Sequence, residues 1–148
     1  MDFGTFVEPM IDLPIAHAWR GHYGTIFLEL GQLQAGRKRR DGSIGNSKGA
    51  FTIHLEPNWR LEGKRSILCG SADSPRAIDS ALQGLIGLTL LAISSYGDLP
   101  ELEIAAGSLR LRTLSSRKGQ PNWTLNRWRR PLAMYCRLGK IAFDGDCT

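Results

Sequence analysis

Short runs in which apolar and polar residues alternate recur along this chain, and they constrain its fold more than any other feature. One run places apolar residues at every second position from 26 to 30, and another does so from 51 to 55. Successive side chains of a strand point to opposite faces, so a period of two predicts a strand with one buried face. Further runs begin at Trp59, Ile67, Leu88, Leu102, Leu109, Trp123 and Leu132. The pattern predicts a mainly antiparallel sheet of about seven or eight strands.

One segment has helical spacing instead. Ser74 followed by Pro75 is a favourable N-cap and first-turn pair, and apolar residues then recur three and four positions apart until Gly84. These signals predict one clear helix over about 75–84, packed on the sheet. A chain of 148 residues suits one domain over 1–148, so the predicted fold class is α+β.

Two hairpins are specific enough to predict a register. A two-residue loop at residues 106–107 would pair Ile104 with Leu109 and Leu102 with Leu111, and set Glu103 opposite Arg110 and Glu101 opposite Arg112. A three-residue loop at 63–65 would pair Leu61 with Ile67 and Trp59 with Cys69. The run Leu132, Met134, Cys136 and Leu138 predicts one further strand.

Composition and motifs argue against several classes of function. The longest apolar stretch, residues 85–93, is about half of the ~20 residues that a membrane helix needs, and no secretory signal opens the chain. Three cysteines without Cys-x-x-Cys spacing, and three scattered histidines, favour neither a disulfide framework nor a metal site. No phosphate-binding glycine loop or nucleophile elbow occurs. We expect a cytoplasmic, non-enzymatic protein without cofactor, metal or membrane contact.

The net charge of +5 is unevenly distributed. Residues 34–48 hold five basic residues against one acidic residue, and residues 109–148 hold nine against two. The segment 34–48 is rich in Gly and Ser and offers little to bury, which predicts a mobile basic loop. A turn is expected at residues 119–121, and a frayed tail at 144–148.

Clustered basic residues beside an aromatic ring suggest one candidate function. Basic side chains neutralise phosphates while an aromatic ring stacks on a base. The candidate nucleic-acid residues are Arg37, Lys38, Arg39, Arg40, Arg127, Trp128, Arg129 and Arg130. Solvated basic loops are also common, so this stays the alternative function.

A family resemblance gives the first candidate. Its signals are Trp59-x-Leu61, Ile67 leading to Gly70-Ser71, Leu82 to Gly87, Leu102-x-Ile104, Gly107-x-Leu109-x-Leu111 and Trp123-x-Leu125. This layout, over roughly residues 50–126, resembles small uncharacterised bacterial α+β proteins of the toxin-immunity type, encoded beside contact-dependent or polymorphic toxins. The resemblance implies a protein that binds and neutralises a cognate toxin domain.

An acidic strip with two neighbouring arginines is a candidate docking face for such a toxin domain, as the alternative to a basic surface. Its candidate residues are Glu56, Glu62, Asp98, Glu101, Glu103, Arg110 and Arg112. Immunity proteins against nucleases tend to be acidic, whereas this chain is basic. A basic inhibitor suits an acidic toxin surface or a toxin that is not a nuclease.

Overall fold

The computed structural model describes residues 1–118 and 122–145, and within them it contains eleven strands and two α-helices. The helices are α1 (Phe3–Val7) and α2 (Pro75–Leu85), and a 3-10 turn covers Glu8–Met10. The strands are β1 (Ile15–Arg20), β2 (Ile26–Leu30), β3 (Phe51–Leu55), β4 (Trp59–Glu62), β5 (Ile67–Gly70), β6 (Leu90–Tyr96), β7 (Glu101–Ala106), β8 (Leu109–Thr113), β9 (Trp123–Arg127), β10 (Leu132–Arg137) and β11 (Lys140–Asp144). The α+β class is confirmed. The predicted seven or eight strands and single helix were too few.

The strands form two antiparallel sheets. The six-stranded sheet has the order β1-β2-β3-β9-β10-β11, and the five-stranded sheet has the order β5-β4-β8-β7-β6. Backbone hydrogen bonds from Ile15 N to Leu88 O (2.8 Å) and from Leu90 N to Leu13 O (2.9 Å) join the start of β1 to the start of β6. The two sheets are therefore connected to each other at β1 and β6.

One hydrophobic core receives side chains from both sheets. The alternation predicted for β2 and β3 is present: Ile26, Leu28, Ile53 and Leu55 are fully buried. They share one cluster with residues of the five-stranded sheet such as Leu102. Residues between them on each strand point to the opposite, outer face. The outer faces of the two sheets are thus free to carry polar chemistry.

Helix α2 forms where the sequence predicts it. The Ser74 side chain caps it by accepting a hydrogen bond from the backbone N–H of Ala77 (3.2 Å). Its apolar stripe of Ile78, Leu82 and Leu85 is buried in the core. Each of these side chains stabilises the fold by about 1.5–3 kcal/mol through burial.

The register predicted for the β7–β8 hairpin was wrong by two residues. Glu103 lies opposite Arg112 and Ala106 opposite Leu109, so the turn is at residues 107–108 rather than 106–107. Gly107 adopts a φ of 55°, a left-handed conformation that glycine takes without the strain an alanine would suffer. Ala106 stays in the ladder with its side chain buried. The glycine thus decides the turn.

The register predicted for the β4–β5 hairpin was also wrong. Leu61 pairs with Cys69, and Glu62 pairs with Ile67, so Leu68 is an extra residue that forms a bulge. Ile67 is 61% exposed rather than buried opposite Leu61. Trp59 is buried, and its indole N–H donates to the carbonyl oxygen of Gly24 (2.6 Å). A bulge lets Leu61 face the core, and apolar counting alone does not reveal it.

Three elements lie outside the predicted pattern. In β1 the pairing shifts between Ile15 and His17, which breaks the period of two. Helix α1 has only five residues. Leu138, predicted to continue β10, lies instead in the turn before β11 with a φ of 52°. Residue 144 ends β11, whereas residues 146–148 and the turn expected at 119–121 lie outside the described residues.

Candidate binding surfaces

Residues 34–48, the basic hairpin, form a narrow extension between β2 and β3. Gln34 and Lys48 exchange backbone hydrogen bonds of 2.7 and 3.0 Å, and an isolated bridge joins Lys38 to Ile44. Gly36 is required at one point, because a Cβ atom there would clash with the carbonyl oxygen of Gly45. The chain therefore runs out and back as a paired ribbon. Its predicted mobility stays a prediction.

The tip of this hairpin concentrates positive charge. Asp41, the acidic residue of the segment, accepts hydrogen bonds from the backbone N–H and the hydroxyl of Ser43 at 2.8 and 2.6 Å. These bonds lower the pKa of Asp41. Arg37, Lys38, Arg39 and Arg40 surround it in sequence. The tip thus keeps a net positive charge over the whole neutral range.

The hairpin lies against the outer face of the six-stranded sheet. Asn46 Oδ1 is 3.3 Å from His17 Nε2 on β1. Between hairpin and sheet is a groove of about 610 Å³, here called the hairpin groove. Its lining includes Trp19 and Phe27 from the sheet, Arg39 and Asn46 from the hairpin, and Glu56 after β3. The groove therefore combines aromatic, cationic and anionic side chains.

An aromatic row crosses three strands beside the groove. The rings of Trp19 and Phe27 stack with centroids 3.9 Å apart, and Phe27 stacks on His54 at 4.6 Å. Burial lowers the pKa of His54, although the nearby Glu56 carboxylate acts in the opposite direction. His54 Nε2 is 3.9 Å from Glu56 Oε1. Because its pKa is lowered, the imidazole of His54 is neutral at pH 7 and forms no ion pair with Glu56.

A buried carboxylate anchors the hairpin to the row. Glu29 is only 1% exposed, although it points to the outer face. It accepts hydrogen bonds from Trp19 Nε1 (3.0 Å), from the backbone N–H of Gly49 (3.2 Å) and from the hydroxyl of Thr52. Thr52 in turn accepts a hydrogen bond from Trp128 Nε1 (2.8 Å). The carboxylate thereby fixes the orientation of Trp19 and the base of the hairpin together.

The predicted nucleic-acid residues divide between two places. Trp128 reaches the outer face, where Lys48 Nζ lies 3.9 Å from its ring centroid. Arg127 instead lies near Phe6 of α1 and donates from Nε to the carbonyl oxygen of Arg130 (3.0 Å). Arg129 and Arg130 are exposed in the turn that follows. The structure thus joins the hairpin to Trp128 but not to Arg127.

The predicted acidic strip is also divided. Glu103 pairs with Arg112 (2.8 Å) and Arg110 (3.2 Å) on the outer face of the five-stranded sheet. Glu62 pairs with Arg60 (2.6 Å) on the adjacent strand β4. These five residues form the mixed-charge strip.

The remaining acidic candidates lie elsewhere. Glu101 is buried and accepts hydrogen bonds from the hydroxyls of Thr113 (3.2 Å) and Ser115 (2.7 Å). Glu56 lines the hairpin groove, and Asp98 is exposed in the turn between β6 and β7. The acidic residues therefore do not form one continuous surface.

An apolar surface next to the strip has no counterpart in the sequence prediction. Leu99, Leu114 and Leu138 are 73%, 66% and 92% exposed, and with Tyr96 they line a cavity of about 480 Å³. We call these four residues the leucine patch. Arg112 of the strip lies 5.7 Å from the Tyr96 ring centroid, so the two surfaces adjoin. Large exposed leucines grouped around a cavity are typical of a binding site.

The described residues offer no obvious catalytic centre. They contain no group of three His, Cys, Asp or Glu side chains that could hold a metal ion. Cys69 and Cys136 are free thiols whose pKa values are raised by burial, which makes them poor nucleophiles. None of the helices found in the described part of the chain is both long and apolar enough to cross a membrane.

In comparisons with known proteins, no protein-family model, curated protein or solved structure matched the chain.

Proposed function

We propose that this chain is a non-enzymatic, immunity-type protein of bacteria that binds and neutralises a cognate toxin domain. The observation that carries the proposal is the leucine patch bordered by the mixed-charge strip. Protein interfaces commonly have an apolar centre that excludes water and a polar rim that sets specificity. The patch supplies the centre and Arg112, Arg110 and Glu103 supply the rim. The resemblance to toxin-immunity proteins over residues 50–126 suggests that the partner is a toxin domain.

The charge of this surface favours one kind of partner. Arg117 also lines the patch cavity, and Arg60 lies beside Tyr96 in a second hollow. Glu103 already pairs with Arg110 and Arg112, so the rim presents more positive than negative charge to a partner. We therefore expect an acidic rim on the toxin domain, surrounding an apolar projection that enters the cavity. Electrostatic complementarity of this kind raises the association rate and excludes wrong partners.

The test is protection by co-expression. The proposal requires a toxin-like domain encoded next to this chain; that domain is expressed with the chain, and growth and complex formation are measured. Leu138→Asn removes an apolar side chain from the patch while suiting the left-handed backbone at that position. It should weaken binding at least about tenfold, as for a hot-spot residue. Tyr23→Asn is the matched control, since Tyr23 is 95% exposed with a φ of 54° at another turn.

Two outcomes contradict the proposal in different ways. If the wild-type chain neither protects cells nor binds the neighbouring domain, the immunity function is wrong. If it protects and Leu138→Asn protects equally well, the function stands and the docking surface is wrong.

A second function, the binding of single-stranded nucleic acid, is favoured by the position of the basic hairpin. Arg39 of the hairpin lines the hairpin groove with Trp19 and Phe27, and Lys48 at the hairpin base lies over the Trp128 ring. Cationic side chains that follow a phosphate backbone beside aromatic rings are the common elements of single-strand binders. This surface is separate from the leucine patch, so either function can be tested without disturbing the other.

The test is retardation of a labelled RNA or DNA strand at physiological salt. Replacing Arg37, Lys38, Arg39 and Arg40 together by Ser should weaken binding strongly and reduce the dependence of any remaining binding on salt. A control variant removes four charges elsewhere, by serine at Lys64, Arg65, Arg76 and Lys140. Absence of binding by the wild type, even at about 50 mM salt, would remove this function.

A further inference from the structure

The hairpin groove has the size and the fixed geometry of a binding site for a small planar group. A volume of about 610 Å³ lies within the roughly 300–1,000 Å³ range of ligand sites. Trp19 is held in place on one side by stacking on Phe27 and on another by its hydrogen bond to Glu29. These two contacts fix the orientation of the Trp19 ring at the wall of the groove.

The polar groups of the groove restrict the ligand's chemistry. Arg20 of the lining is already paired with Asp79 of α2 at 2.9 Å. Arg39 enters from the hairpin as the cation, and Glu56 lies on the sheet side as the carboxylate. The side chain of Glu56 is about half exposed. A carboxylate accepts hydrogen bonds and donates none. A ligand that suits both groups carries an anion at one end and adjacent hydrogen-bond donors at the other.

We propose that the hairpin groove binds one unpaired guanine nucleotide, with the base beside Trp19 and Phe27, Glu56 on its Watson–Crick edge and Arg39 on its phosphate. Guanine presents N1–H and N2–H as neighbouring donors, which a carboxylate accepts as a pair. Adenine and cytosine place a ring acceptor beside their amine, and uracil flanks its N3–H with two carbonyl oxygens. A carboxylate repels these acceptors, so Glu56 selects guanine. This assignment rests on the nucleic-acid function proposed for the basic hairpin.

The experiment compares three fluorescein-labelled RNA strands by anisotropy: oligouridine, the same strand with one central guanosine, and the same strand with inosine there. Inosine keeps N1–H and lacks the 2-amino group. The guanosine strand should bind roughly tenfold to a hundredfold more tightly than oligouridine, as expected for hydrogen bonds to a charged group. The inosine strand should fall between them.

The Glu56→Gln variant separates the base site from the phosphate contacts. It should reduce the guanosine strand to the affinity of oligouridine and leave oligouridine binding unchanged. Glu62→Gln, a glutamate of the mixed-charge strip, is the matched control and should keep the preference. Because Glu56 is half exposed, its replacement leaves the core intact.

The possible outcomes separate the guanine site from the nucleic-acid binding on which it rests. Equal, hairpin-dependent binding of all three strands overturns the guanine site and leaves nucleic-acid binding in place. Binding of none of them overturns both. A preference for guanosine that survives Glu56→Gln overturns the groove as its location. If guanosine monophosphate competes with the labelled strand as effectively as the unlabelled guanosine strand does, that result supports the guanine site and assigns it to the free nucleotide.

Discussion

The outer faces of the two sheets use glutamate in opposite ways. On the six-stranded sheet, Glu29 is buried beneath the hairpin base and satisfied by three donors, none of them a cation. On the five-stranded sheet, Glu103 lies at the surface between two arginines. A buried carboxylate loses its solvation and depends on each donor, whereas a surface ion pair exchanges its partner for water at small cost. The first arrangement fixes a geometry, and the second leaves a surface adaptable.

The largest expected effect is that of Glu29→Ala. The change leaves the indole N–H of Trp19, the amide of Gly49 and the hydroxyl of Thr52 without their acceptor. At about 1–3 kcal/mol for each of the three buried donors, the free energy of unfolding should fall by at least about 3 kcal/mol. Urea denaturation followed by tryptophan fluorescence measures this. Glu29→Gln keeps one acceptor oxygen and should cost less; a loss below about 1 kcal/mol for Ala would show that the carboxylate does not anchor this face.

A smaller loss is expected from Gly49→Ala at the hairpin base. The added Cβ would clash with the carbonyl oxygen of Leu30 and displace the amide that donates to Glu29. We expect a cost of about 2 kcal/mol. Gly84→Ala is the matched control, because a Cβ on this exposed position of α2 meets nothing within 4 Å. It should stabilise the protein by up to about 1 kcal/mol, and a similar result at residue 49 would mean that the hairpin base is loosely held.

The pH dependence of stability should show the contribution of His54, the titratable residue of the aromatic row. Burial lowers the folded-state pKa of His54 below its usual value of 6.5, so the unfolded chain binds more protons in mildly acid solution. The contribution of His54 to stability is therefore lost as the pH falls below about 6.5. His54→Phe keeps the stacking on Phe27 and should retain more of its stability between about pH 7.5 and pH 5 than the wild type does. Parallel curves for the two proteins would contradict this, and His22→Phe serves as control.

The smallest effect belongs to the mixed-charge strip. Glu103→Ala breaks the ion pairs with Arg110 and Arg112, yet these groups are solvated. The free energy of unfolding should fall by less than about 1 kcal/mol, and by still less at high salt, which screens the ion pairs of the wild type. If the change approached that of Glu29→Ala, the contrast between the two faces would fail. In the toxin-binding assay the same variant makes the rim more positive, so it should raise the association rate with an acidic toxin surface and leave the complex intact.

The sequence predicts those parts of the fold that depend on local pattern. The strands at 26–30 and 51–55 follow from alternation, and α2 follows from its cap and its spacing. Registers failed where a single backbone conformation decides them: the left-handed Gly107 moved one turn, and the extra Leu68 shifted the other. A register predicted from the pairing of apolar side chains contains no information about a positive φ or about a bulge.

Some features of the candidate sites are visible in the sequence, and others arise only from the tertiary fold. The charge of the basic hairpin is visible in sequence, because the four basic residues 37–40 are consecutive. Glu29 alternates outward in β2 and resembles any solvated glutamate until the hairpin covers it. The leucine patch unites residues 99, 114 and 138 from three separate segments, and only the tertiary fold brings them together. Leu138 followed by Gly139, in a run predicted as strand, was the available signal of an exposed turn.

The bulge in β5 has a consequence for strand pairing between copies of this chain. β5 and β11 end their sheets, and an edge strand with free amides and carbonyls can recruit another chain. β5 carries the exposed apolar side chains of Ile67 and Leu68, which would favour such stacking. The bulge at Leu68 and the four-residue length interrupt its ladder, so a second β5 finds no continuous row of partners. The bulge at Leu68, which shifts the register of the hairpin, therefore also disfavours fibrous assembly through the β5 edge.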